Sequence, residues 1–255
     1  MRRYFAAFFL LAVASASATP YDLKELVSGT AAGAGCTVGA LVGSCFTVGD
    51  KIFNFQSAGL TGSGVTAPLP PLAVGQFSVN SLLSSGSLFG FQILGGMLAD
   101  SVSGSTANLD LALSYTVATT SGQALMTDLH AELNGNCQVF GGGSCLVQAT
   151  ETATNAAGHT VNGIANAGNV LVTNPLLVNL SNTPQTDLFL APQSLIQVTK
   201  DITVFAHADT NGEIFANLSI ISQYVSQVPE PGFYGALALG LSGLTFLVRR
   251  RRRAA

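Results

Sequence analysis

The stretch DITVFAHADTNGEIFANLSIISQYV (residues 201–225) indicates most directly how the chain folds. Apolar and polar residues alternate on both sides of Asn211-Gly212, a dipeptide that tolerates the positive φ angles of a tight hairpin turn. Alternation with a period of two is typical of a strand that buries one face. The stretch therefore predicts two antiparallel strands joined by a hairpin.

The same signals recur in three stretches upstream. CFTVGDKIFNF (45–55) has Gly49-Asp50 between two apolar runs, which predicts another hairpin. LMTDLHAEL (125–133) places Leu125, Leu129 and Leu133 on one face. In LDLALSYTV (109–117), every second residue is apolar: Leu109, Leu111, Leu113, Tyr115 and Val117. Short strands separated by Gly, Asn and Ser turns favour an antiparallel β-sandwich over an α/β fold.

The charges of the chain are unevenly distributed, although the formal net charge is only −3. Every arginine lies close to one end of the sequence. Between Thr19 and Val228 the only cations are Lys24, Lys51 and Lys200, and they face twelve Asp and Glu residues. A body this acidic repels phosphate backbones, which excludes nucleic acid as a partner.

Residues 1–18, MRRYFAAFFLLAVASASA, have the three parts of a secretory signal peptide. Two arginines precede an apolar run of about ten residues, which is too short to span a bilayer as a helix. Ala16-Ser17-Ala18 forms the small-residue exit. We therefore predict export through the translocon and cleavage by signal peptidase after Ala18, with Ala16 as the second candidate.

The four cysteines form two local pairs, Cys36 with Cys45 and Cys137 with Cys145. Four cysteines allow three pairings, and each local pair encloses a Gly-rich stretch that can double back. The spacing of zinc ligands is absent. Two structural disulfides are the preferred interpretation, in agreement with an oxidising compartment.

The body of the sequence contains no enzyme motif. There is no G-x-S-x-G, H-E-x-x-H, P-loop or G-x-G-x-x-G, and the three histidines are far apart in sequence. HADTNGE (207–213) matches part of an EF-hand loop, but Leu218 stands where the bidentate carboxylate is needed. We predict no enzyme, catalytic residue, metal or cofactor. Calcium or carbohydrate binding by surface loops is the alternative.

The last 28 residues, VPEPGFYGALALGLSGLTFLVRRRRRAA (228–255), read as a membrane segment. Seventeen uncharged residues, 232–248, extend about 25 Å as a helix, slightly less than a bilayer core. The positive-inside bias would hold a cluster of five arginines in the cytoplasm: Arg249, Arg250, Arg251, Arg252 and Arg253. A permanent membrane anchor is one interpretation of this segment.

An anchor alone does not account for the tripeptide Pro229-Glu230-Pro231. The motif, the apolar helix and the terminal arginines, in that order, resemble the PEP-CTERM sorting signal of exported bacterial proteins. The resemblance implies recognition of residues 229–231 by exosortase, a transient transmembrane helix at 233–248, and removal of the tail with its Arg segment at 249–253. It also implies delivery to the cell surface or extracellular matrix.

Together these observations predict four regions. A signal peptide (1–18) precedes an N-terminal segment with a Gly/Ala-rich linker (19–44), a mainly β, antiparallel β-sandwich ectodomain (45–227) and the sorting signal (228–255). The expected function is that of a structural or adhesive surface protein, with the membrane, exosortase and exopolysaccharide as partners. The alternatives are a carbohydrate- or calcium-binding surface module and a permanently anchored envelope protein.

Overall fold

A computed structural model of the protein describes residues 20–31, 36–38, 41–64, 74–84, 88–172, 178–182, 185–227 and 242. Side chains are described for most of these, but not for 36–38, 41–43, 83–84, 164–172, 178–182 or 185–189. Within this part the chain is mainly β.

The described elements are one short helix, one 3-10 turn (Val74–Gln76) and fifteen strands. The helix is α1 (Leu23–Ser28). The strands are β1 (Tyr21–Asp22), β2 (Cys36–Val38), β3 (Leu41–Gly43), β4 (Cys45–Val48), β5 (Lys51–Ser63), β6 (Ser78–Ser84), β7 (Leu88–Val102), β8 (Thr106–Thr119), β9 (Met126–Phe140), β10 (Gly143–Asn155), β11 (Thr160–Val172), β12 (Val178–Asn182), β13 (Gln185–Gln193), β14 (Leu195–Ala208) and β15 (Glu213–Gln227).

Two antiparallel sheets make up the body, as the sequence predicts. The seven-stranded sheet has the order β1-β6-β7-β15-β9-β12, with β13 also paired to β9. The six-stranded sheet has the order β11-β10-β14-β8-β5-β4, and β2 and β3 form a small ladder of their own. The two large sheets pack face to face around one apolar core.

The core is divided by residue size along the strands. Near one end, Phe91 of the seven-stranded sheet contacts Phe53, Phe55 and Tyr115 of the six-stranded sheet, with ring centroids 5.1–5.4 Å apart. Near the other end many of the buried residues are small, including Ala206 and Ala216. The predicted inward face of β8 is confirmed, because Leu109, Leu111, Leu113, Tyr115 and Val117 are all buried.

Three of the turns that carry the chain from one sheet to the other lie at the small-residue end. They join β7 to β8, β9 to β10 and β14 to β15. Their backbones bond to one another: Ser103 N–H donates to Gly212 O, Gly104 N–H to Asp209 O, and Asp209 N–H to Gly142 O. The turns therefore form one connected cap over that end of the core.

The predicted hairpin at Asn211-Gly212 is wrong, although a turn is present there. β14 pairs with β8 and β10, whereas β15 pairs with β7 and β9, so the two strands do not pair with each other. Gly212 N–H donates to Asp209 O at 2.8 Å, and within the described part the only non-glycine residue with a positive φ is Ser103. Each strand needs one buried face, and placing β14 and β15 in opposite sheets buries one face of each.

The predicted hairpin at Gly49-Asp50 is confirmed, since Val48 pairs with Lys51 across the turn. Gly49 has φ +60°, and a Cβ there would lie 2.3 Å from the Phe89 ring, so the turn requires glycine. The prediction for LMTDLHAEL is only partly correct. Leu129 and Leu133 are buried, but Leu125 precedes β9 and is 40% exposed.

The N-terminal segment packs onto the body through a capped helix. The Asp22 carboxylate accepts from Lys24 N–H at 2.7 Å at the start of α1, and Gly29 ends the helix with φ +79°. Leu23 and Leu26 are fully buried in the core. A short helix in YDLKELVSG, which the sequence suggests, is therefore present.

Candidate functional site

The residues that the sequence assigns to sorting and processing lie outside the described part of the chain. These are Ala16 and Ala18, the motif Pro229-Glu230-Pro231, and Arg249, Arg250, Arg251, Arg252 and Arg253. Of the predicted transmembrane helix, only Ser242 is described. Among the helices that the structure describes, none combines the length and apolar character needed to cross a bilayer.

The predicted disulfide between Cys137 and Cys145 is present and joins the two sheets. Cys137 belongs to β9 and Cys145 to β10, and their Cα atoms are 6.0 Å apart. Facing sheets usually lie about 10 Å apart. The sheets therefore converge here, where the neighbouring residues across the ladders, Ala206 and Ala216, are small. Cys45 is also disulfide-bonded, whereas the side chain of Cys36 is outside the described ones.

Lys51 is fully buried. It links the two sheets at the end of the core where the aromatic rings pack. Its Nζ donates to Asp50 Oδ2 at 2.8 Å, to Ala124 O at 2.9 Å and to Gln227 Oε1 at 2.6 Å. The same Nζ lies 5.3 Å from the centre of the Phe89 ring. Because Lys51 lies in the six-stranded sheet and Gln227 in the seven-stranded sheet, this ammonium holds the sheets together at that end.

Lys200 is buried in the middle of the core, opposite Glu151 on the neighbouring strand. Its Nζ lies 2.6 Å from Glu151 Oε2 and donates to Gln223 Oε1 from the facing sheet. Gln223 Nε2 donates to Glu151 Oε1 at 3.3 Å. Tyr115 is fully buried, and desolvation together with the negative charge of Glu151 raises its pKa well above its usual value. We call Lys200, Glu151 and Gln223 the core triad.

None of the predictions from the sequence includes the core triad, although the sequence carries a signal for it. In LIQVTKDITV (195–204) the inward positions are Ile196, Val198, Lys200, Ile202 and Val204, so a lone lysine occupies an apolar register. A charged residue in such a register indicates a buried partner. The identity of that partner depends on sheet order, which the pattern does not give.

Burial of two lysines leaves the outer surface of the described part almost without cations. Of the three lysines in the body, Lys51 and Lys200 are buried and only Lys24 is exposed. Most of the carboxylates are not buried; Asp201 and Asp209, for example, are exposed. The surface of the described part is therefore acidic and has little to attract an anionic polymer.

The outer face of the six-stranded sheet carries an open groove of about 570 Å³. Two rows of directly opposed residues cross it. One row consists of hydroxyl side chains: Thr152, Thr199, Ser114 and Ser57. The next row consists of Thr150, Asp201, Ala112 and Gly59. The small residues of the second row leave this part of the groove open, and the hydroxyls recur at the strand spacing of about 4.8 Å.

Two carboxyl groups lie together beside the groove. Asp201 lines the groove, and Asp110 is its diagonal neighbour on β8. Burial, the hydrogen bond with Asp201 and the negative charge of Asp201 together raise the pKa of Asp110 to about 6. Below that pH, Asp110 carries the proton that joins the two carboxyl groups.

We expect Asp110→Asn to remove a pH dependence of stability. A raised pKa means that the folded state holds the proton more tightly, so stability is present at low pH and is lost as pH rises through about 6. The amide mimics the protonated acid. The variant should match the wild type near pH 4 and exceed it at pH 8 by at most about 1 kcal/mol, because solvent screens the pair. Thermal unfolding from pH 4 to 8 measures this.

Asp209→Asn is the control, since it removes a carboxyl group outside the pair and should leave the pH profile of the wild type in place. A profile for Asp110→Asn that parallels the wild type would show that the two carboxyl groups do not share a proton.

The partial EF-hand match lies in the turn between β14 and β15 but gathers few ligands. His207 Nε2 is 3.8 Å from Asp209 Oδ1, and His207 Nδ1 hydrogen-bonds Thr106 Oγ1 at 2.9 Å. In the part of the chain that the structure describes, no three His, Cys, Asp or Glu side chains come together as a metal site. The turn itself accounts for Asn211 and Gly212.

The described part is thus a two-sheet antiparallel β-sandwich with an inter-sheet disulfide, a buried charged triad and an open polar groove. No protein-family model and no curated protein matches the chain.

Similar solved structures include TmCBM61 in complex with beta-1,4-galactotriose (9% identity, TM-score 0.23, 68% of this chain and 90% of that one). They also include the CBM22-1 xylan-binding domain of Paenibacillus barcinonensis Xyn10C (12% identity, TM-score 0.23, 69% and 97%). Another is the enzymatically active domain of Bacteriophage CBA120 tailspike protein 4 (11% identity, TM-score 0.20, 64% and 19%). Likeness at this level identifies neither a family nor a ligand.

Proposed function

We propose that the chain is an exported, non-catalytic surface protein of structural or adhesive type. The observation that carries the proposal is the buried disulfide between Cys137 and Cys145, which joins the two sheets of the sandwich. Such bonds form and persist in oxidising compartments outside the cytoplasm. The signal peptide at residues 1–18 supplies the route.

The C-terminal tail is proposed to act as a temporary anchor and sorting signal. Pro229-Glu230-Pro231, the apolar segment and the five arginines support this by their order and position. On this proposal the sandwich is held at the inner membrane, exosortase removes the tail, and the protein reaches the cell surface or matrix.

Replacing Pro229-Glu230-Pro231 by three alanines is expected to abolish processing of the tail. The full-length chain should accumulate in the membrane fraction, because the enzyme no longer recognises the junction. Intact mass spectrometry of the protein from surface and membrane fractions measures the C-terminus directly.

Pro68-Leu69-Pro70→Ala-Ala-Ala is the matched control, since it also removes two prolines with one residue between them. This control should be processed like the wild type. An intact tail on wild-type protein from cells with a working exosortase would refute the sorting proposal. Tail removal in the motif variant would refute the role of the motif.

A second proposed function is the binding of a polysaccharide by the groove on the six-stranded sheet. The groove presents a row of four hydroxyl side chains beside the Asp110–Asp201 pair, and these groups suit the hydroxyls of a sugar. The acidic surface around it favours a neutral glycan, because an anionic one would be repelled.

Gly59→Val is expected to weaken glycan binding about tenfold or more by filling the groove. A Cβ at Gly59 meets nothing within 4 Å, so the fold should tolerate the change. Gly96→Val is the matched control, because Gly96 is also an exposed strand glycine with open space around it. A glycan array, run with and without calcium and followed by titration of the best ligand, tests this. Equal binding by both variants would exclude the groove.

A further inference from the structure

The core triad places an amine, a carboxyl group and a carboxamide in mutual contact inside the sandwich. Lys200 and Glu151 lie opposite each other on β14 and β10 of the six-stranded sheet. Gln223 reaches them from β15 of the facing sheet. All three side chains are buried, with at most 4% of each residue exposed.

Each member of the triad contacts the atoms that an amide-forming reaction would use. Lys200 Nζ touches Gln223 Oε1, and the amide carbon Cδ is one bond beyond that oxygen. Glu151 contacts the amine through Oε2, at 2.6 Å, and the amide nitrogen Nε2 through Oε1, at 3.3 Å. The carboxyl group therefore bridges the nucleophile and the leaving group.

We propose that Lys200 and Gln223 join covalently, forming an amide cross-link between the two sheets. Glu151 takes a proton from Lys200 Nζ, and the nitrogen lone pair attacks Gln223 Cδ. Glu151 then gives a proton to Nε2, the Cδ–Nε2 bond breaks, and ammonia leaves. An amine and a primary amide become a secondary amide and ammonia, with no change of oxidation state and no cofactor.

Two physical effects favour this reaction. Held groups react as if at an effective concentration of about 10⁵–10⁸ M, and folding brings these three together in one geometry. The reaction also removes a buried ion pair, because the lysine nitrogen becomes a neutral amide and Glu151 can end as a neutral acid. Taking two charges out of water is unfavourable, and pairing them offsets this only in part.

The surroundings of the triad support proton transfer within it. Tyr115 stays a neutral phenol, since burial and the charge of Glu151 raise its pKa, and its hydroxyl has no hydrogen-bond partner among the described residues. Within that same part, Lys200 is the only cation in ion-pair contact with Glu151. Proton exchange in this buried site therefore runs between Lys200 and Glu151.

Intact mass and tryptic mapping of the full-length protein test the proposal. After disulfide reduction, the wild type should weigh one ammonia less than its sequence requires. Between Arg3 and Arg249 the only trypsin sites follow Lys24, Lys51 and Lys200. After denaturation and disulfide reduction, the wild type should resist cleavage after Lys200, because a cross-linked lysine has no charged side chain for trypsin to recognise.

Glu151→Gln keeps the shape of the side chain but cannot take the proton, so this variant should have the full mass and be cut after Lys200. Lys200→Arg should also have the full mass, whereas Lys24→Arg should keep the ammonia deficit. The wild-type measurement is decisive without any variant: a full mass with normal cleavage after Lys200 would overturn the proposal. A deficit that persists in Glu151→Gln would overturn the role given to Glu151.

Discussion

Lys51→Met is expected to lower the free energy of unfolding by about 3 kcal/mol. The lysine is fully buried, and its ammonium donates to Asp50, Ala124 and Gln227. Methionine keeps the length of the side chain and its packing against Phe89, but leaves a charged carboxylate and two acceptors without their donor. This loss of unfolding free energy is at the lower end of the range for breaking a buried ion pair, because the Asp50 side chain is 16% exposed.

Urea unfolding at pH 7 measures this loss. Lys24→Met is the matched control: it removes the same ammonium from an exposed position and should change the unfolding free energy by less than about 0.5 kcal/mol. Adding Asp50→Asn to Lys51→Met should recover part of the loss, since the orphaned charge is then gone. Equal stability of the Lys51 and Lys24 variants would mean that the buried contacts contribute nothing.

The double variant Cys137→Ala/Cys145→Ala is expected to lose about 2–3 kcal/mol of unfolding free energy. The two cysteines are separated by 8 in sequence, so the disulfide closes a short loop. A short loop restricts the entropy of the unfolded chain less than a long one does, so the expected stabilisation is modest. Alanine avoids burying a hydroxyl group, and both positions are fully enclosed in the core. Chemical unfolding of oxidised wild type and double variant gives the difference.

Thiol titration in denaturant supplies the companion measurement, because the structure contains no free cysteine among its described residues. The native wild type should give no thiol signal when unfolded under oxidising conditions. A double variant as stable as the wild type, or wild-type protein with two free thiols at Cys137 and Cys145, would contradict the inter-sheet bond.

Local patterns in the sequence predict much of this fold. The alternation in LDLALSYTV and the turn at Gly49-Asp50 both depend on residues within one or two strands, and both predictions are confirmed. A turn is present at Asn211-Gly212, but the predicted pairing of the two strands that it joins is wrong. Alternation shows that each strand has a buried face, but it does not show whether the next strand lies beside it or across the core.

The candidate sites could be recognised only from the three-dimensional order of the strands. Thr152, Thr199, Ser114 and Ser57 are distant in sequence, and only the pairing of four strands aligns them in one row. Lys200 could be recognised as unusual from its apolar register, but Gln223 belongs to a strand of the other sheet. Non-local pairing of this kind leaves no trace in a single sequence.

The three inter-sheet turns at the small-residue end also bear on how the protein folds. At each of them, strands that are neighbours in sequence end up in different sheets, so no hairpin can form early from β7 with β8, β9 with β10, or β14 with β15. The pairing of β15 with β7 instead closes a long loop, and it gains stability only against that entropic cost. Chains of this topology fold in milliseconds to seconds rather than microseconds. The non-local strand pairs of both sheets are therefore expected to form late in folding.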